Sequence, residues 1–148
     1  MSSAVYEEAR NILNDRFGHD TLIALATVDG TAPCVRAVNA YYEDNCFYVI
    51  TNAKSRKMKQ IAKNPSVAIC GDWFTANAIG ENLGHICASG NKLLADTLRG
   101  AFASWYGNGH IDEQDTDVCI LCLRLADGVL MSHGKRYVID FVNQSAQQ

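Results

Sequence analysis

Cys46-Phe47-Tyr48-Val49-Ile50-Thr51-Asn52-Ala53-Lys54-Ser55-Arg56-Lys57-Met58-Lys59 is the stretch that decides the fold. Cys46 to Ile50 are apolar, aromatic or β-branched and predict a strand. The run stops at Thr51-Asn52. Ser55, a good N-cap, starts a predicted helix that reaches about Lys63 and is ended by Asn64-Pro65. Arg56, Lys57 and Lys59 then fall in the first helical turn, with Lys54 just ahead of it. That end of a helix already carries about half a positive charge, and each misplaced cation costs a few tenths of a kcal/mol, up to about 1. A bound phosphate removes the conflict: free N–H groups and the dipole favour it, and arginine and lysine close around it. The bland alternative is a solvated basic face, the usual fate of a charge run.

The chain on either side reads mainly as strands. Residues 3 to 17 predict an amphipathic helix with Val5, Ala9, Ile12, Leu13 and Phe17 on one face and Gly18 as its stop. Thr21 to Val28 is a strand with apolar residues on both faces, as in a barrel wall covered on its outside. Asp29-Gly30 signals a hairpin. The return strand, 33 to 42, alternates Cys34, Arg36, Val38 and Ala40 with Val35, Ala37, Asn39 and Tyr41. An arginine in so apolar a strand wants an anion.

Beyond Pro65 a short strand spans Val67 to Cys70, and a longer one runs to about Asn82 before a turn. A second amphipathic helix follows, with Leu94, Leu98, Ala101, Phe102 and Trp105 inward, then a polar loop over 107 to 117. Val118 to Leu125 is a strand, Asp127-Gly128 a turn, and 129 to 133 and 136 to 141 two more strands. Many strands, tight turns and few helices predict a mainly β fold: a small antiparallel barrel with helices packed on its outside.

At 148 residues the chain can bury a core as one domain without staples. A net charge of −3 and a pI near 5.7 argue against wholesale nucleic-acid binding and make the basic cluster conspicuous. No stretch has transmembrane length and the first residues lack a signal peptide's apolar core, so no membrane and a cytoplasmic location are expected. The six cysteines then read as reduced, mostly buried thiols.

The ordered set of features has a family likeness. Tyr48-Val49-Ile50-Thr51-Asn52 followed by Ser55-Arg56-Lys57, with Arg36-Ala37-Val38 upstream and Asn64-Pro65 and Trp73 downstream, resembles the pyridoxamine 5′-phosphate oxidase-like FMN-binding family. Glu81-Asn82-Leu83-Gly84-His85 and the Trp105-Tyr106 helix end are similar to an uncharacterised subgroup of it. The likeness covers residues 20 to 90 well and the rest loosely.

The resemblance implies a six-stranded antiparallel split β-barrel that forms a homodimer, with FMN in clefts between the subunits. By residue, it implies that Arg36, Arg56 and Lys57 contact the FMN phosphate, with Ser55 capping the helix or joining them. Val38 and Asn39 would lie along the isoalloxazine, and Thr51 and Asn52 would reach the phosphate or ribityl chain. Trp73, Asn82 or Trp105 would close the ring pocket, one of them from the partner subunit. It implies an oxidoreductase acting on a small molecule, with NADH or NADPH as a transient donor. The same cleft also fits two alternatives, a non-catalytic or redox-responsive flavin binder and a haem binder. Two departures set the chain apart from the oxidase proper. Tyr41 stands where that enzyme has a lysine for its substrate's phosphate, and the ending Arg136-Tyr137-Val138-Ile139-Asp140-Phe141 supplies no arginine–histidine pair.

Other patterns carry less. Cys119 and Cys122 form a CxxC, but within a strand they point to opposite faces and read as buried thiols rather than a zinc or redox site. Of the scattered histidines, His85 lies in the turn nearest the expected pocket, where it would move protons or ligate haem. Gly107-Asn108-Gly109 has no strand before it or helix after it, so it is no dinucleotide fingerprint. Residues 112 to 117 lack a calcium loop's glycine and distal glutamate.

Overall fold

The alternation of inward and outward residues is what closes this chain into a barrel. The computed structural model describes residues 3–148. Its strands are β1 (Thr21–Asp29), β2 (Ala32–Glu43), β3 (Cys46–Asn52), β4 (Ser66–Gly71), β5 (Phe74–His85), β6 (Val118–Ser132), β7 (Lys135–Asp140) and β8 (Ser145–Gln147). They hydrogen-bond in the order β3-β2-β1-β4-β5-β6-β7-β8, and β3 also pairs with β6 from Cys46–Arg124 to Asn52–Val118. That second pairing joins six strands into a closed antiparallel barrel with β7 and β8 as an outward extension. The fold is the expected mainly β split barrel with flanking helices.

Two apolar clusters explain why β3 and β6 are continuous hydrophobic runs. Inside the barrel Ile23, Leu25, Phe47, Val49, Ile69, Phe74, Leu121 and Leu123 pack with Tyr6, Leu13 and Phe17 of α1 (Ala4–Phe17). Phe17 meets Phe47 edge-on at 5.5 Å between centroids. Its ring also lies where a Cβ on Gly71 would come within 2.8 Å, so α1 seats only because position 71 has no side chain. Outside the barrel Ile50, Val118 and Ile120 pack with Leu98 and Phe102 at the end of α3 (Lys92–Ala101). Both faces of these strands are covered, as helices packed on the outside require.

Two local expectations are corrected, and one strand is added. Asp127-Gly128 is not a turn: β6 runs through it, and the register with β5 steps from Ala78–Leu125 to Asn77–Asp127, leaving Ala126 as an inserted residue. The Asp-Gly signal marks a bulge here, and a Cβ on Gly128 would lie 2.8 Å from the Thr75 carbonyl oxygen. β5 continues to His85 past an irregularity at Asn82, so the turn begins later than expected. The polar C-terminal residues form β8 against β7 from Asp140–Ser145 to Val138–Gln147.

Candidate functional site

The ladder between β2 and β3 is only three pairs long, Tyr41–Tyr48, Tyr42–Phe47 and Glu43–Cys46. Beyond them the two strands diverge. β2 stays with β1 and β3 stays with β6, so the facing edges at Val38-Asn39 and Val49-Ile50-Thr51 have no ladder partner on that side. A cleft of about 460 Å³ opens there, lined by those five residues with Lys57, Trp105 and His110. Unpaired strand edges offer backbone donors and acceptors, and the apolar walls exclude water from them.

The base of the cleft is set by α2 (Arg56–Lys63), which crosses one end of the barrel and buries Met58, Gln60 and Ile61. Ser55 occupies the N-cap position with extended backbone, but its side chain makes no capping bond. Its Oγ is buried without a hydrogen-bond partner among the described residues. A buried hydroxyl left unsatisfied is costly, and such groups are rare. Arg36 reaches the same place from β2. Its guanidinium donates to the Leu25 carbonyl at 3.2 Å, Thr27 Oγ1 at 2.7 Å and Gln60 Oε1 at 3.0 Å. All three acceptors are neutral, so its charge has no counter-ion among the described residues.

Lys57 completes the seat. Burial, and then the Arg36 charge, push its pKa below the ordinary lysine value, while only the Cys119 thiol opposes them. Arg36, Ser55, Arg56 and Lys57, with Cys34 and Val35, border a groove of about 480 Å³ beside the cleft. Cations, a free hydroxyl and a helix N-terminus converge there with no carboxylate among them, which is an arrangement for an anion.

Eight of the expected site residues fall into two groups. Arg36, Ser55, Arg56 and Lys57 border the seat, and Val38, Asn39, Thr51 and Trp105 border the cleft. Asn52 is committed elsewhere: its Oδ1 accepts the Lys54 backbone N–H at 2.8 Å and its amide approaches Asp115 at 3.5 Å. Lys54 also turns away, pairing with Asp117 at 3.1 Å. Trp73 sits 72% exposed in the β4–β5 turn, in a depression bordered by Arg16 and Met131 rather than at the cleft. Asn82 lies on an exposed part of β5, its Oδ1 accepting from the Gly84 N–H. A single chain therefore does not bring Trp73 or Asn82 to the cleft.

His85 is corrected by its own hydrogen bonds. Nε2 faces the Asp115 carbonyl oxygen at 2.9 Å and must donate, while Nδ1 faces the Cys87 N–H at 3.0 Å and must accept. Both nitrogens brace the turn after β5, which leaves neither for a haem iron or for proton transfer. The CxxC thiols diverge as expected: Cys119 lies near Lys57, while Cys122 lies beside Cys46, whose pKa this neighbouring thiol lowers.

Four contributors are not among the expected residues. Gln60 and Thr27 hold Arg36, and Asp20 ties Asn39 to Trp105 through its two oxygens. His110 reaches the cleft from the turn Tyr106–His110. Two of these had a visible signal. Gln60 is a polar residue between Met58 and Ile61 on the buried face of α2, and Thr27 continues the inward row of Ile23 and Leu25.

The comparisons with known proteins bear on the fold and the family. No curated protein matches the sequence. A NimC/NimA family protein from Clostridium acetobutylicum superposes with a TM-score of 0.65 at 17% identity, over 91% of this chain and 96% of that one. A FAD-binding protein from Mesorhizobium loti gives 0.64 at 16% identity, over 85% and 91%. A haem-binding protein from Mycobacterium smegmatis gives 0.69 at 14% identity, over 97% of this chain and 61% of that one. At these identities the likeness is one of fold. The sequence is more specific: residues 7–124, from α1 to the strand that closes the barrel, match the family model described as pyridoxamine 5′-phosphate oxidase. With that match spanning the cleft walls and the whole anion seat, the chain belongs to the pyridoxamine 5′-phosphate oxidase family.

Proposed function

We propose that the chain is a flavoprotein that holds FMN in the cleft and seat and works as an oxidoreductase on a small molecule, with NADH or NADPH visiting as donor. One observation carries the reading. Arg36, Lys57 and the unpartnered Ser55 hydroxyl face one groove without a protein carboxylate, beside an apolar cleft edged by free backbone groups. The residues fit the group: Arg36, Arg56, Lys57 and Ser55 Oγ take the phosphate, and the edges at Val38-Asn39 and Val49-Ile50 take the polar rim of a flat heterocycle. Trp105 offers an aromatic wall.

Bound flavin supplies the hydride or electron chemistry that amino-acid side chains lack. The chain's own residues bind, orient and exclude water. Tyr41, at the place of the oxidase's substrate-phosphate lysine, gives its hydroxyl to Glu43 at 3.2 Å and offers no cation. That favours a substrate other than pyridoxamine phosphate. A homodimer with the cleft at its interface is part of the proposal, since it offers Trp73 and Asn82 a route to the ring of a second copy.

The test is an absorbance spectrum of the purified protein, mass analysis of released ligand, and an FMN titration. Flavin bands, a released ligand of flavin mass and uptake of added FMN are expected, with bleaching by NADH or NADPH and turnover of an acceptor. A Soret band instead, or no FMN uptake at millimolar concentration, overturns the reading. Binding without turnover reduces the protein to a flavin carrier.

A further inference from the structure

Three grooves follow one another around α2, and each shares a cation with the next. Lys57 borders both the cleft and the seat. Arg56 borders the seat and a third groove of about 400 Å³, between α2 and the β1–β2 hairpin. Arg56, Lys59 and Lys63 line this groove at helical spacing, all exposed, and α2 carries four cations and no acid in its eight residues. None of the three has an ion-pair partner among the described residues. Like charges three and four apart on a helix repel, so this face destabilises α2 unless an anion lies against it. The groove's one carboxylate is Asp29, at the hairpin tip beside Gly30.

We propose that this third groove receives the second phosphate and nucleoside arm of a dinucleotide, so that the chain binds flavin adenine dinucleotide more tightly than FMN. The inference rests on the flavin reading above. A pyrophosphate joins its phosphorus atoms through one oxygen, so a first phosphate in the seat sets the second directly beside it. Arg56 stands at that junction, and its planar fork suits two neighbouring phosphates. Lys59 and Lys63 continue the track along the helix. A mononucleotide fills the cleft and seat and leaves those two lysines without a counter-charge.

Calorimetric titration of the flavin-stripped protein with FMN and with FAD tests this, using wild type, the double variant K59A/K63A, and D29N. Lysines 59 and 63 are exposed, and circular dichroism confirms that the variants fold. FAD is expected to bind about tenfold more tightly than FMN, an advantage of the size a charge-assisted contact gives. K59A/K63A should erase that advantage while leaving FMN affinity within about twofold, and D29N should widen it, each effect shrinking with added salt. FMN binding with no advantage for FAD, or a double variant that weakens both ligands equally, overturns the groove and leaves the flavin reading intact. Failure of both ligands to bind overturns both.

Discussion

Asp20 and Trp105, 85 positions apart, are joined by a 2.9 Å hydrogen bond from the indole Nε1 to one carboxylate oxygen, and the other oxygen takes the Asn39 amide at 3.0 Å. One carboxylate thus fixes the wall and one edge of the cleft together. It also sorts the Asn39 side chain: with its N–H engaged, the carbonyl oxygen remains as the acceptor for a ligand. Asp20→Ala should lower stability by about 1.5–3 kcal/mol, the range for hydrogen bonds to a charged acceptor. It should also weaken FMN binding and shift Trp105 emission to the red. The shift is best read in a Trp73→Phe background, because Trp73 is 72% exposed and already emits from water. Unchanged emission and unchanged affinity together would mean that the carboxylate positions nothing.

Lys57 is placed where it harms the ligand-free chain. Burial and the Arg36 charge both disfavour its protonated form, and no carboxylate answers them. Because its folded pKa lies below that of the unfolded chain, protonating it opposes folding, and the penalty fades as pH rises through the ordinary lysine range. A phosphate reverses the balance. Lys57→Met should therefore leave the ligand-free protein as stable as wild type or more so at pH 7, while weakening FMN by about 1.5–3 kcal/mol. Thermal melts with and without FMN decide it: a variant that loses stability in the ligand-free state contradicts the assignment.

Gln60 gives a test with opposite signs. Its Oε1 accepts from both Thr27 and Arg36, so it holds the guanidinium without neutralising it. Gln60→Glu puts a carboxylate within reach of Arg36, a partner that competes with any incoming phosphate. The protein should stay folded, since the new charge is paired, yet FMN affinity should fall by at least about 1.5 kcal/mol, one charged hydrogen bond's worth. Equal affinity in the variant and wild type would show that Arg36 does not face the ligand.

How much of this was legible beforehand depended on whether a local signal had a single physical meaning. A strand ending at Thr51-Asn52 followed by cations in a helix's first turn has few readings, and in the fold Ser55, Arg56 and Lys57 do line one groove with Arg36. Arg36 was visible because an arginine in an apolar row demands company. Asp127-Gly128 misled, because a bulge and a hairpin use the same residues for the same backbone reason, and only the pairing of β6 with β5 tells them apart. Asp20 carries no pattern of its own: its role exists only once the chain has folded Trp105 against it. His85 looked free because no sequence rule announces that a neighbouring N–H and a distant carbonyl will consume both its nitrogens.

The cleft's outer wall has a pH limit that follows from Glu113. Arg99 donates to it through Nε at 2.8 Å and through its second amino group at 3.0 Å, and the Tyr106 hydroxyl and Cys87 thiol donate as well. These bonds, Arg99's first, hold the carboxyl at about 2 against an ordinary 4.5. Tyr106, half-buried and bonded to the same carboxylate, is pushed up to about 12 and keeps its proton. Since the folded pKa is the lower one, the stabilisation is whole above about pH 4.5 and is lost as pH falls towards 2. The Glu113 side chain is 29% exposed, so water screens part of it, and Glu113→Gln should cost about 1–2 kcal/mol at pH 7. The gap between wild type and variant should close as the pH is lowered through that window in denaturant titrations. Because Glu113 anchors the segment that carries Trp105 and His110 to α3, FMN should also leave the variant faster at neutral pH. A gap that stays constant from pH 7 to 2 would show that the carboxylate is not what holds this wall.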